Sequence, residues 1–161
     1  MSELDHERYM RRAIALTASV PELPFVAVVV HRESGETVAE GWNRSAINPT
    51  WHGEIDALNA LFRSGRRGDG SELVLYTTAE PCPMCMAAIL WSGIGMVVFG
   101  TSILFLQTSG WRQIDVFAAE IVRRSPGWTC TVVGGVLEEQ CNALYAAGPP
   151  EAFPLRPDVS A

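Results

Sequence analysis

Lysine is absent. All twelve basic residues are arginines, set against 18 acidic residues, for a formal net charge of −6. A chain of that sign offers no general cationic surface for nucleic-acid phosphates or anionic lipid. No apolar run approaches the roughly 18–20 residues that cross a bilayer. Met1 to Arg12 is charged and lacks the basic-then-apolar order of a secretory leader. A soluble, cytoplasmic protein with no membrane partner is therefore the expectation. There is no low-complexity linker and no internal repeat. Cysteine is scarce, at four residues: Cys82, Cys85, Cys130 and Cys141. In a reducing compartment these read as thiols or metal ligands before disulfides. What remains is ordinary globular composition: 161 residues, 48% apolar and 19% charged, enough for one domain with its own core.

Periodicity alternates between helix and strand along the chain. Asp5 to Ser19 places Tyr9, Ala13, Leu16 and Val20 at helical spacing, and Pro21 and Pro24 end it. Phe25 to Val30 is a β-branched run that reads as a buried strand. A turn at Glu33 to Glu36 leads to its hairpin partner, Thr37 to Gly41. A helix is expected from about His52 to Arg63, followed by a loop holding Gly65, Gly68 and Gly70. Leu73 to Thr77 and Met96 to Gly100 read as buried strands, with a helix at Cys82 to Ser92 between them. Ile114 to Arg124 reads as a helix, Thr129 to Gly134 as a strand and Leu137 to Ala146 as a last helix. The order αββαβαβαβα predicts an α/β fold: a three-layer α/β/α sandwich around a five-stranded mixed sheet. The domain is expected to occupy residues 1–147. A Pro-rich, loosely held tail follows at residues 148–161.

Two short segments carry the chemistry. His52-Gly53-Glu54 stands at a helix start. Pro81-Cys82-Pro83-Met84-Cys85 stands between a strand and a helix. One imidazole and two thiolates make a zinc set with a position left open, the arrangement of catalytic rather than structural zinc. Cys82 and Cys85 are three apart and share one face of a helical turn. At a helix N-terminus the dipole favours thiolate over thiol. Glu54, roughly 200° around a regular helix from His52, is poorly placed to bind the metal beside it. It is better placed for general acid/base work on a water there. His6 and His31 lie outside the motif. Alone, a C-x-x-C is often a redox pair or half of a zinc knuckle, and a His-x-Glu is often a solvated helix start. Together, in this order, they match the H-x-E…P-C-x-x-C pattern of zinc deaminases. Cys130 and Cys141 read as small buried apolar residues.

With those motifs the chain, from about Glu7 to Ala146, resembles the cytidine deaminase-like superfamily, in its guanine deaminase and tRNA-specific adenosine deaminase branch. Asn43 in Glu40-Gly41-Trp42-Asn43-Arg44, the run Asn48 to Ile55, the run Leu75 to Cys85, Val97 to Gly100, and Gly135-Val136-Leu137 with Glu139-Gln140-Cys141 carry the resemblance. It implies the α/β/α fold, one zinc per subunit, a homodimer, and hydrolytic release of ammonia from an aminated heterocycle. In the mechanism it implies, zinc held by His52, Cys82 and Cys85 activates a water, and Glu54 takes the water's proton, protonates the ring nitrogen and later protonates the leaving ammonia. Backbone N–H groups near Ala79 to Cys82 are expected to hold the developing charge.

The resemblance also suggests substrate contacts. Asn43 matches an asparagine that hydrogen-bonds the base. Phe25 matches an aromatic that packs on the ring, although Val26 replaces the usual glycine beside it and narrows that space. Trp91 falls where bacterial guanine deaminases carry tryptophan, which favours a free purine base. Asp115 and Glu120 are candidates for a second acid on the base's other polar edge, and Trp111 for a lid or a dimer contact. Each has a plainer reading: a turn asparagine, core aromatics, solvated acids. A free nucleobase or nucleoside, guanine-like by preference, is the expected substrate. A tRNA adenosine or a cytosine or cytidine is the alternative. A tRNA enzyme wants a basic surface, and this chain has only the small clusters Arg63, Arg66, Arg67 and Arg123-Arg124. A non-enzymatic zinc or redox module would not need Glu54.

Overall fold

Strand β1 (Val26–His31) and strand β3 (Leu73–Ala79) are buried along almost their whole length. Such strands need cover on both faces, which explains their unbroken apolar runs. The computed structural model describes residues 4–65 and 69–151 and supplies that cover. The sheet has five strands in the order β2-β1-β3-β4-β5, where β2 is Thr37–Trp42, β4 Met96–Thr101 and β5 Thr131–Val133. β1 is antiparallel to both β2 and β3, while β3, β4 and β5 run parallel. This is the expected mixed sheet.

Alternate residues of each strand face opposite layers. Val28, Val30, Val74, Tyr76 and Val98 pack with Tyr9, Met10 and Ala13 of α1 (His6–Leu16) and with Cys141 of α6 (Glu138–Tyr145). Ala27, Val29, Leu75 and Val97 pack on the other side with α2 (Gly53–Arg63), α3 (Pro83–Trp91) and Ala118 of α5 (Ala118–Arg123). A third cluster, Ala79, Leu106, Trp111 and Tyr145 with Phe25 beside them, closes one end of the sheet. Cys141 is buried and Cys130 half-buried, both are free thiols, and burial raises them to about 12 and about 11 respectively.

Two elements differ from the expectation. Ser102 caps an unanticipated helix α4 (Ile103–Thr108), accepting from the Phe105 N–H at 3.1 Å. Its run Ile-Leu-Phe-Leu has no period to betray it. The helix expected from Ile114 begins only at Ala118. Residues 109–117 are instead drawn into a loop by the burial of Trp111, which is 3% exposed. Among the described residues the helices and strands fall between His6 and Tyr145. Arg66, Arg67, Gly68 and the tail from residue 152 lie outside the described residues. Among the described residues no helix is long and apolar enough to cross a membrane.

Candidate metal centre and active site

The site lies where the C-terminal end of β3 meets the N-termini of α2 and α3. Parallel strands leave a crevice there, and helix N-termini converge on it. His52 is the N-cap of α2 and Cys82 the N-cap of α3, with Pro83 at the first turn. Neither residue spends its side chain on capping. Both side chains are therefore left to the crevice, in the positive end of a helix dipole.

α2 is held there by close packing. A Cβ on Gly41 of β2 would collide with the Ala57 nitrogen and the Gly53 carbonyl, and one on Gly53 would lie 2.6 Å from the Phe25 carbonyl. Two glycines thus let α2 press on β2 and on the chain entering β1. Asp56, 5% exposed, secures the loop before α2. Its carboxylate accepts from the Trp42 N–H at 3.0 Å, Arg44 Nε at 3.0 Å and Trp51 Nε1 at 2.9 Å. Sequence reasoning missed Asp56; the signal was a carboxylate four residues past His52, in the first turn of its helix.

The imidazole Nδ1 of His52 lies 3.6 Å from the sulfur of Cys82 and 3.6 Å from that of Cys85. All three donor atoms fall within 4.8 Å of one another. A tetrahedral centre with Zn–S near 2.3 Å and Zn–N near 2.0–2.1 Å sets nitrogen and sulfur roughly 3.6 Å apart. The spacing and the nitrogen–sulfur donor set both fit zinc. A hydrogen bond from the Cys85 thiol, assisted by His52 and opposed by burial, draws the Cys82 thiol down to about 4. The same bond to Cys82, with burial, pushes Cys85 well up.

Glu54 is buried beside this group without belonging to it. Burial, then the Cys82 charge, pushes its carboxyl above the ordinary range. Thr77, also buried, stands with its hydroxyl 3.1 Å from the Ala79 carbonyl and 3.4 Å from Glu54 Oε1. Of the backbone donors expected near Ala79 to Cys82, the Glu80 N–H is taken by the Thr101 carbonyl at 2.7 Å, and Pro81 has none.

The remaining candidates divide. Asn43 stays near the site: its N–H donates to the Phe25 carbonyl at 2.9 Å, and its Oδ1 accepts from the Ser45 N–H and hydroxyl. Phe25 is half-buried, its ring 5.1 Å from Trp111 and 4.9 Å from Tyr145. Trp111 is thus packed at the end of the sheet, its Nε1 on the Tyr145 carbonyl at 2.9 Å. Trp91 ends α3, about 13 Å along the axis from Cys82, and is 78% exposed against Trp128. Glu120 gives both oxygens to Arg123 and Arg124. Asp115 is exposed and accepts from Gln107.

A five-stranded mixed sheet carrying a His-Cys-Cys centre with a buried glutamate beside it defines a hydrolytic deaminase of the zinc-binding type. Residues 3–101 match the cytidine and deoxycytidylate deaminase zinc-binding region, and the chain belongs to that family. It is 36% identical over 146 residues to a tRNA-specific adenosine deaminase of Haemophilus influenzae, covering 88% of this chain and 80% of the relative. It is 34% identical over 95 residues to a guanine deaminase of Bacillus subtilis, covering 55% of this chain and 60% of that one. A protein solved in complex with 2,6-diaminopurine superposes with a TM-score of 0.73 at 27% identity, over 89% of this chain and 81% of that one.

Proposed function

We propose that this chain hydrolyses the exocyclic amine of a free nucleobase, guanine-like in preference to a cytosine or to an adenosine within tRNA. One observation carries the choice of a small substrate. Among the described residues, Arg11, Arg12, Arg44, Arg123 and Arg124 each sit on a carboxylate: Glu7, Glu40, Asp56 and, for the last two, Glu120. Cations already neutralised do little for a tRNA backbone. The likeness to a protein solved with 2,6-diaminopurine supports a purine ring. The longer match to a tRNA-specific adenosine deaminase supports the second reading, a tRNA adenosine.

His52, Cys82 and Cys85 would hold a zinc ion, which when bound would supply Lewis acidity to a water. Glu54 does the proton work. Its carboxylate takes one proton from the water and passes it to the ring nitrogen, then takes the second from the hydroxyl added to the ring carbon and gives it to the amine, which leaves as ammonia. A carbon–oxygen bond forms and the carbon–nitrogen bond breaks. Asn43, its oxygen taken by Ser45, keeps its amide nitrogen to donate to a base acceptor. Phe25 and Ala79, which belong to one apolar cluster, are the apolar contacts of this reading. The acids Asp115 and Glu120 are left out of the contact set, since Glu120 is engaged and both face solvent. Trp91, with Trp128, belongs instead to the contact between copies of a homodimer, because an exposed tryptophan pair is a surface that a partner covers. Trp91→Arg is expected to shift the sedimentation of the protein from dimer to monomer; a wild type that sediments as a monomer removes this assignment.

The test is ammonia release by the zinc-loaded protein from guanine, 2,6-diaminopurine, adenine, cytosine, their nucleosides and a tRNA anticodon stem-loop. Turnover of a free purine base is expected, with the stem-loop silent. Turnover of the stem-loop alone overturns the reading.

A further inference from the structure

Glu80 is buried, 7% exposed, and the chemistry outlined above leaves it without a task. It stands between the end of β3 and the metal-ligating turn, two residues before Cys82. Its two carboxylate oxygens do different work. Oε2 accepts the N–H of Ile103, the first residue of α4, at 2.9 Å. Oε1 accepts the N–H of Ala118, the first residue of α5, at 2.9 Å. Phe117, the N-cap of α5, has no side chain that can cap, so Glu80 supplies the missing acceptor from a distant part of the chain. One carboxylate therefore holds both ends of residues 102–118.

The middle of that segment is held separately. Leu106 and Trp111 are buried with Ala79 and Tyr145, and the Trp111 ring stands edge-on to Phe25. The segment thus forms a wall against Phe25, the aromatic that the functional reading above sets against the base. Its two ends are tied to the strand that leads directly into Cys82.

We propose that Glu80 is a positioning residue that sets residues 102–118 as a wall of the substrate pocket, in fixed relation to the metal ligands, and so governs substrate affinity. The inference rests on the functional reading above for its substrate, and on geometry alone for the wall. A bond from a neutral donor to a buried carboxylate is among the stronger ones, and an amide cannot replace two of them. In Glu80→Gln one oxygen still accepts, while the NH2 group faces an N–H and releases one helix start.

Glu80→Gln is expected to keep its zinc, to exchange the amides of residues 103–118 faster than wild type, and to raise KM by about tenfold or more with kcat within about threefold. A residue that merely stabilises the fold lowers the melting temperature and leaves that split unmoved. Trp111→Phe, which removes the bond from the indole Nε1 to the Tyr145 carbonyl together with part of a buried ring, is expected to shift KM in the same direction and decides the matter if Glu80→Gln does not fold. Unchanged KM and unchanged exchange in the folded variant overturn the proposal. So does loss of zinc, which makes Glu80 a support of the metal cradle. If wild type deaminates no base in the panel, the functional reading fails by itself, and amide exchange at residues 103–118 still decides the role of Glu80.

Discussion

Glu54→Gln is expected to keep metal and fold while turnover falls by about three to four orders of magnitude, the upper range for loss of one general acid/base. The size follows from the two transfers assigned to one carboxylate: it carries one water proton to the ring nitrogen and then the remaining one, from the hydroxyl added to the ring carbon, to the leaving amine. The structure supports that division of labour. Glu54 lies two residues from His52, buried, and outside the group of atoms spaced for a metal. The Thr77 hydroxyl stands at a long 3.4 Å from Glu54 and the Cys85 thiol is the carboxyl's other partner, and a glutamine oxygen can still accept from both. Removing a buried carboxyl of that kind relieves a desolvation cost, so the melting temperature is expected to hold or rise. Metal content by atomic emission and turnover on the same preparation check both halves. A variant that loses zinc together with activity would place Glu54 among the ligands and refute the assignment.

Cys85→Ala is expected to lose the metal, the turnover, and the thermal response to metal in one step. Cys85 is fully buried on the first turn of α3, and its sulfur is one of the three donors grouped there among the described residues, so removing it leaves two. Metal that binds the folded chain stabilises it by about 4 kcal/mol when it stands a thousandfold above its Kd. At roughly 2–4 °C per kcal/mol for a domain of this size, wild type should melt about 8–16 °C lower after chelation. Calorimetry with and without chelator reads this directly. Cys85→Ala should melt near chelated wild type and show no further shift with chelator. Wild type indifferent to the chelator, or a variant still carrying a full equivalent of zinc, would make the cluster a set of packed thiols. His52→Ala is expected to behave as Cys85→Ala does.

Much of this was readable before any coordinates. His52, Glu54, Cys82 and Cys85 were legible because their spacing on two helix starts is local, and local geometry follows from a helical period. The strands were legible for a similar reason: Val26 to Val30 and Leu73 to Thr77 are apolar on both faces, which only a doubly covered sheet tolerates. Asp56 and Glu80 were not legible. Each is an ordinary carboxylate in the sequence, and its role exists only through backbone and side-chain donors distant along the chain, such as Trp42 and Ala118. Helix α4 was hidden by an apolar run without period, and the start of α5 by the burial of Trp111.

The substrate candidates show the same boundary. Phe25 and Asn43 adjoin α2 because strand pairing and the glycines at 41 and 53 bring them there. Trp91 was read by position in a motif. A helix advances about 1.5 Å per residue, so the residue that ends α3 stands far from the one that caps it.

The sequence by itself determined the alternation of strand and helix, the metal donors and the glutamate beside them, because each is signalled by a motif of residues within a few positions of one another. Only the tertiary structure decided which carboxylates are anchors, which aromatics close the end of the sheet, and where residues 102–118 lie. Those depend on pairings outside any local period, 38 positions apart between Glu80 and Ala118 and 121 apart between Tyr145 and Pro24.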